Sequence, residues 1–191
     1  MAFTGLTGNT KKFLQLDAGA LYKNYDPDTD TPATAASKLI GATVGGATIA
    51  IVPEVRQISV DGVKGPTKGF ETVDSWTATL TANIKEVNCN TVAMSLGATT
   101  DDKTTMTGYH ILTVNSNFAD TDYIDNVTWI GTISGSANPI MIVLKNVLCL
   151  NGFNFTVSDK NEGNVPLVMT AHYNVADLDE VPVEIYIPII S

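Results

Sequence analysis

The chain has 191 residues, 44% of them hydrophobic and 16% charged, which suits one domain with a sizeable core and excludes a disordered chain. Its 20 Asp and Glu outweigh 11 Lys and Arg to leave a net charge of −9, and its longest basic cluster is the pair Lys11-Lys12. Affinity for nucleic acid through counterion release needs clustered cations, so a general attraction to phosphates is excluded.

The opening residues, Met1 to Gly5, lack a basic stretch followed by an apolar one, and no signal peptide is expected. No apolar run reaches the roughly 18 residues of a membrane span, so the expectation is a chain made and folded in the cytoplasm, without membrane contact. Residues 1–16 read as a flexible terminus entering a first strand at Phe13-Leu14-Gln15-Leu16. The segment 17–46 is long and poorly periodic, and holds the acidic turn-rich stretch Asp26-Pro27-Asp28-Thr29-Asp30-Thr31-Pro32. A short helix is predicted from Pro32, with Thr31 as its cap and Gly41 at its end. Long segments of this kind usually make contacts elsewhere.

From Ala47 the pattern turns to β. Thr48 to Val52 and Val55 to Val60 flank Pro53, whose missing N–H demands a sheet edge or a bulge. Asp61-Gly62 marks a turn. Trp76, Ala78, Leu80, Ala82 and Ile84 then alternate with polar residues, the signature of a half-buried antiparallel strand of well-fixed register. Asn88 is positioned to cap a short helix over Thr91–Leu96 that Gly97 closes. Residues 98–106 read as a polar loop. Strands are predicted at Tyr109–Val114, Asn126–Ile133, Ile140–Leu150, Phe153–Val157, Val165–Val175 and Val181–Ile190. Eight to ten strands and one helix predict a mainly β fold: an antiparallel β-sandwich or partly closed barrel with long loops and arms.

Motifs that carry chemistry are sparse. Gly41 to Gly46 has the wrong spacing for a dinucleotide loop and is followed by a strand, so it reads as a glycine-rich connection. Asp26, Asp28 and Asp30 have the spacing that begins a calcium loop and are the candidate metal ligands. The sixth and twelfth positions hold Thr31 and Ser37 in place of Gly and Glu, so a solvated acidic turn is the expectation. His110 and His172 lie far apart and read as packed or half-exposed strand residues. Cys89 and Cys149 read as reduced, buried thiols, and Trp76 and Trp129 as core. Tyr22 and Tyr25, beside the acidic stretch, are candidate anchors of a partner surface. No cofactor is expected and no catalytic residue stands out, so the chain is not expected to be an enzyme.

Several stretches, taken in order, resemble one family. They are Leu16-Asp17-Ala18-Gly19-Ala20-Leu21-Tyr22-Lys23-Asn24-Tyr25, then Leu39 to Gly46 followed by a strand, then Val60 to Gly69, the alternating strand ending Ile84-Lys85-Glu86, and Asp177 to Pro188. Together these resemble the major tail, or tail tube, proteins of long-tailed bacteriophages. Val44 departs from the basic residue expected in the Gly-Ala-Thr-x-Gly-Gly stretch. The resemblance implies a single tail-tube domain over 1–191, with 1–46 as arm and long loop and 47–191 as β-sandwich core. It implies self-assembly into stacked rings, normally of six subunits, forming a virion tail conduit for genome ejection. Its implied partners are other copies of the chain and the tail tip, tape measure and tail terminator proteins, with DNA passing through unbound. Segments 17–46, 61–74 and 98–106 are expected to order on contact. Their candidate interface residues are Tyr22, Tyr25, Asp28, Leu39 and Ile40 in the first, Lys64 and Lys68 in the second, and Asp101 and Asp102 in the third. The alternatives are a carbohydrate- or receptor-binding sandwich and the tube protein of a related contractile injection system.

Overall fold

In the strand β3 (Glu71–Ile84) the side chains of Ala78, Leu80, Ala82 and Ile84 are all buried, as their alternation predicts. The computed structural model describes residues 4–190; Met1, Ala2 and Phe3 of the amino-terminal reading lie outside the described residues, as does Ser191. The remaining elements in chain order are β1 (Ala20–Lys23), β2 (Thr43–Gln57), α1 (Cys89–Leu96), β4 (Thr99–Asp102), β5 (Ile111–Val114), β6 (Ile124–Gly131), β7 (Ile140–Cys149), β8 (Thr156–Ser158), β9 (Asn161–Thr170) and β10 (Val183–Tyr186).

The main sheet runs β1-β6-β7-β9-β3-β2, antiparallel throughout and not closed, with β10 on β7 and β8 on β9. Strand β7 turns the corner between two layers. Its first part pairs with β6 and β10, whereas Leu148 and Cys149 pair with β9. The change of partner falls between Val147 and Leu148, next to Asn146, whose φ is 49° and whose Nδ2 donates to the His172 carbonyl at 3.1 Å. The His172 ring meets the Asn146 carbonyl at 3.1 Å, so this histidine is a half-buried structural clamp. The layers face each other across one cluster. Leu21, Val127, Trp129 and Leu144 come from the first, and Leu80, Ile84, Val165, Leu167 and Met169 from the second. This is the arrangement of a β-sandwich.

The opposite face of the first layer is covered too. Tyr22, Tyr25, Ala35 and Ile130 form a second cluster beneath residues 24–38, which explains why Val127 to Gly131 are buried without alternation. On the inner face the Trp129 Nε1 donates to the Ala18 carbonyl at 3.0 Å. The indole lies so close to the Gly19 backbone, at φ +68°, that a Cβ there would overlap it.

The helix α1 forms where predicted. Thr91 N donates to Asn88 Oδ1 at 3.0 Å and Asn88 N donates to Thr91 Oγ1 at 3.1 Å, a reciprocal cap, and Gly97 ends the helix. Other expectations change. The segment Phe13–Leu16 is not a strand: a 3-10 turn at Thr10–Phe13 is followed by a single bridge, Gln15 to Ile133, because only one ladder rung is available there. No α-helix follows Pro32. Thr31 does cap a turn, since Thr31 N donates to Thr34 Oγ1 at 2.8 Å and Thr34 N to Thr31 Oγ1 at 3.2 Å. The Thr34 hydroxyl also donates to the Thr31 carbonyl at 3.1 Å, in competition with the helical bond from Ala35 N, and only a 3-10 turn at Ala36–Lys38 follows. Residues 98–106 contain β4, which pairs with β5 as a separate two-stranded sheet. Strand β1 lies within 1–46, so the sheet begins before residue 47. No helix among the described residues is long and apolar enough to cross a membrane.

Candidate assembly interface

Strand β3 has a neighbour on both sides only over part of its length. Its ladder with β9 covers Thr79–Ile84, whereas its ladder with β2 runs on to Gln57 and Glu71. Residues 51–57 and 71–77 therefore form a ribbon of two strands, closed by the loop 58–70. Val52, Val55, Ile58, Val60, Val63 and Val73 are each close to half exposed on it. At its base the ribbon is tied to the body of the domain, where Trp76 N donates to Tyr173 Oη at 2.9 Å; farther out its side-chain polar contacts are exposed. Arg56 Nε donates to Asp74 Oδ2 at 3.0 Å, and Ser75 Oγ donates to Glu54 Oε2 at 3.0 Å. An exposed ion pair of this kind contributes at most about 1 kcal/mol, and a lone two-stranded hairpin is marginal in water.

Strand β2 ends the order of the main sheet, so its outer edge offers unpaired N–H and C=O groups. Pro53 sits there opposite Trp76, as a residue without an N–H should, and the ladder shifts register directly after Glu54. A second irregularity falls at Gly45 and Gly46, between the Val44–Asn83 and Ala47–Ala82 pairs. Both glycines have positive φ, 78° and 74°, so this stretch is a bulge that bends the edge strand. A second free edge belongs to β10, which among the described residues pairs with β7 alone. Ile185, Ile187 and Ile189 at and beyond it are exposed, the last almost fully.

The candidate interface residues divide. Lys64 and Lys68 are exposed on the ribbon loop, and Asp28 and Leu39 are also exposed. Tyr22, Tyr25 and Ile40 are interior instead, at 7%, 2% and 5% exposure. They are consumed within the chain: Tyr22 and Tyr25 cover the second face of the first layer, and Ile40 packs into the core between the layers. Tyr25 Oη donates to the Asp30 carbonyl at 2.9 Å, and burial pushes this phenol above its ordinary range. Ile40 N donates to the Leu21 carbonyl at 2.9 Å, beside a bridge from Leu39 to Tyr22 that shields the outer edge of β1.

The aspartates of the acidic stretch serve the turn itself. Asp26 accepts from Thr29 Oγ1 at 2.7 Å and from Asp28 N at 3.0 Å, while Asp30 Oδ2 accepts from Asp26 N at 2.8 Å. The Lys38 ammonium reaches the same Asp30 oxygen at 2.5 Å, filling the cationic position with a side chain. Lys38 is the first cause holding the Asp30 carboxyl below its ordinary range; for Asp26 it is the Thr29 hydroxyl.

Asp102 is tied to its turn by Thr104 and Thr105, whose hydroxyls donate to it at 2.8 and 2.5 Å. Asp101 meets His110 Nδ1 at 3.0 Å, the Lys103 ammonium at 3.5 Å and Cys89 Sγ at 3.7 Å. Sequence spacing gave no sign of this meeting, because the four residues come from α1, β4 and the loop before β5. Lys145 is a further residue that spacing does not reveal. Its ammonium binds Glu180 at 2.6 Å and Glu184 at 2.5 Å, fixing β10 and the preceding acidic loop to β7. Glu180 is the first cause of its raised pKa, and Lys145 in turn lowers Glu184. Cys149 is buried under α1, and its thiol is pushed up to about 12 by burial.

The surface left by this arrangement is large. A compact monomer of 20.3 kDa exposes about 8,800 Å². This chain exposes 12466 Å², an excess of about 3,700 Å² over that scaling.

No protein-family model and no curated protein sequence matches the chain. Among solved structures it is similar to a chain from the tail of an empty GTA particle with C6 symmetry. The identity is 9% and the TM-score 0.44, over 82% of this chain and 92% of that one. It is also similar to a chain from the virion of a native gene transfer agent (GTA) particle. There the identity is 10% and the TM-score 0.40, over 88% of this chain and 96% of that one. Both belong to gene transfer agent particles.

Proposed function

We propose that the chain is a structural tail-tube protein, without catalytic chemistry, whose copies associate side by side into rings that stack into a tube. The observation that carries this reading is the excess surface, and above all the outer part of the ribbon, where Val52, Val55, Ile58, Val60, Val63 and Val73 stay close to half exposed. An excess of about 3,700 Å² falls in the range of roughly 2,000–5,000 Å² buried by permanent interfaces. Pairing β2 of one copy with a free edge of the next removes the edges that otherwise invite uncontrolled association. Such a contact joins two different surfaces, so it generates a ring when the rotation closes. Six subunits per ring, a lumen for DNA, and tail tip, tape measure and terminator proteins as end partners follow from the sequence resemblance. The acidic balance suits a conduit along which phosphates slide without binding. Virion tail is the corresponding location.

Negative-stain electron microscopy of the purified protein across a concentration series tests the proposal. Rings or hollow tubes that lengthen with concentration are expected. A monomer at every concentration, with the ribbon still protruding, would count against it.

A further inference from the structure

The first residue of α1, the third residue of β4 and the residue before β5 bring three different donor atoms together. They are Cys89 Sγ, an Asp101 carboxylate oxygen and His110 Nδ1, all within 4.8 Å of one another. We propose that these three side chains bind a divalent transition-metal ion of the zinc class. This inference stands independently of the tube reading.

The geometry is close to what such an ion needs. A tetrahedral Zn²⁺ with bonds of about 2.3 Å to sulfur and about 2.0–2.1 Å to nitrogen and oxygen holds its ligand atoms about 3.3–3.6 Å apart. Asp101 Oδ2 lies 3.0 Å from His110 Nδ1 and 3.7 Å from Cys89 Sγ. Shifts of well under about 1 Å in these two separations reach the ideal values. The protons that now bridge thiol and imidazole to the carboxylate make way for the ion. The thiol proton leaves to solvent, and the imidazole carries its proton on Nε2. His110 is half exposed, so that nitrogen can be solvated. Water fills the fourth position.

The donor set decides the class of ion. One thiolate and one imidazole beside a single carboxylate favour Zn²⁺ or Co²⁺ over the hard cations Mg²⁺ and Ca²⁺. The Lys103 ammonium lies 3.5 Å from Asp101 Oδ2. It competes for the carboxylate and swings to solvent when an ion enters, being two-thirds exposed. The structural consequence is a clamp. The β4–β5 hairpin forms its own two-stranded sheet, and the ion ties β4 and the residue preceding β5 to the start of α1.

Cobalt(II) titration of the purified full-length protein, in chelator-treated buffer, reads the site through its thiolate. A near-ultraviolet charge-transfer band that saturates at one equivalent and is displaced by Zn²⁺ but not by Ca²⁺ is expected. Cys89→Ser should abolish the band, His110→Ala should weaken binding by more than about tenfold, and Lys103→Ala should strengthen it. Absence of the band in the wild-type protein would overturn the proposal without recourse to any variant. So would a band that survives Cys89→Ser, or affinity unchanged in a His110→Ala protein of wild-type circular dichroism.

Discussion

The two halves of β3 lead different lives. From Ala78 to Ile84 the strand lies between β2 and β9, its apolar row sealed against Val165, Leu167 and Met169. From Glu71 to Thr77 it has β2 alone, and Val73 faces water beside its partner Val55. One half is stabilised by the chain's own core; the other has the pairing of a sheet but not the burial. The same backbone therefore serves as fold in one place and as docking element in the other. What separates them is the presence of a second layer, not a change in strand propensity.

Substitutions should separate the halves on a stability scale. Leu80→Ala, in the sealed half, should lower the stability of the dilute monomer by about 2–5 kcal/mol in urea denaturation, because it leaves a cavity among fully buried neighbours. Lys145→Ala should lower it by about 1–2 kcal/mol, since two charge-assisted bonds to Glu180 and Glu184 are lost and β10 loosens from β7. Val73→Asp, in the open half, should leave monomer stability within about 0.5 kcal/mol while preventing higher-order species in sedimentation velocity. A loss of several kcal/mol there would mean that the ribbon is part of the core after all.

The smallest effect concerns acid. The folded-state carboxyls of Asp26 and Asp30 lie below the ordinary aspartate value of 3.8. Their contribution is therefore fully present above that value and lost as pH falls through the lowered one. Hydrogen exchange across 26–38 should rise selectively below about pH 4, ahead of exchange in β3 and β9. Simultaneous exposure of all three segments would contradict a local role for this turn.

The halves of β3 also mark what was legible in the sequence. The period-two row from Trp76 to Ile84, the Asn88 cap and the edge demanded by Pro53 are local patterns, and each appears in the fold. The two-layer arrangement was legible as a class but not as a topology. The corner in β7 depends on Asn146 at positive φ and on His172, which are distant in the chain and carry no composition signal. Tyr22 and Tyr25 looked like surface anchors because their neighbours are acidic. Their burial depends on residues 24–38 folding back over β6, which only tertiary packing determines. The ribbon's exposure was equally hidden, because Val55, Ile58 and Val73 look like core residues until the end of β9 is known. For the same reason Cys89, Asp101 and His110 met without a spacing motif to announce them.

The most direct test of the account is hydrogen–deuterium exchange on dilute and concentrated protein, read peptide by peptide. Amides of the ribbon, 51–57 and 71–77, and the outward-facing amides of β2 should exchange fast when dilute and become strongly protected on assembly, with β9 unchanged. Assemblies that form while those amides continue to exchange freely would contradict it.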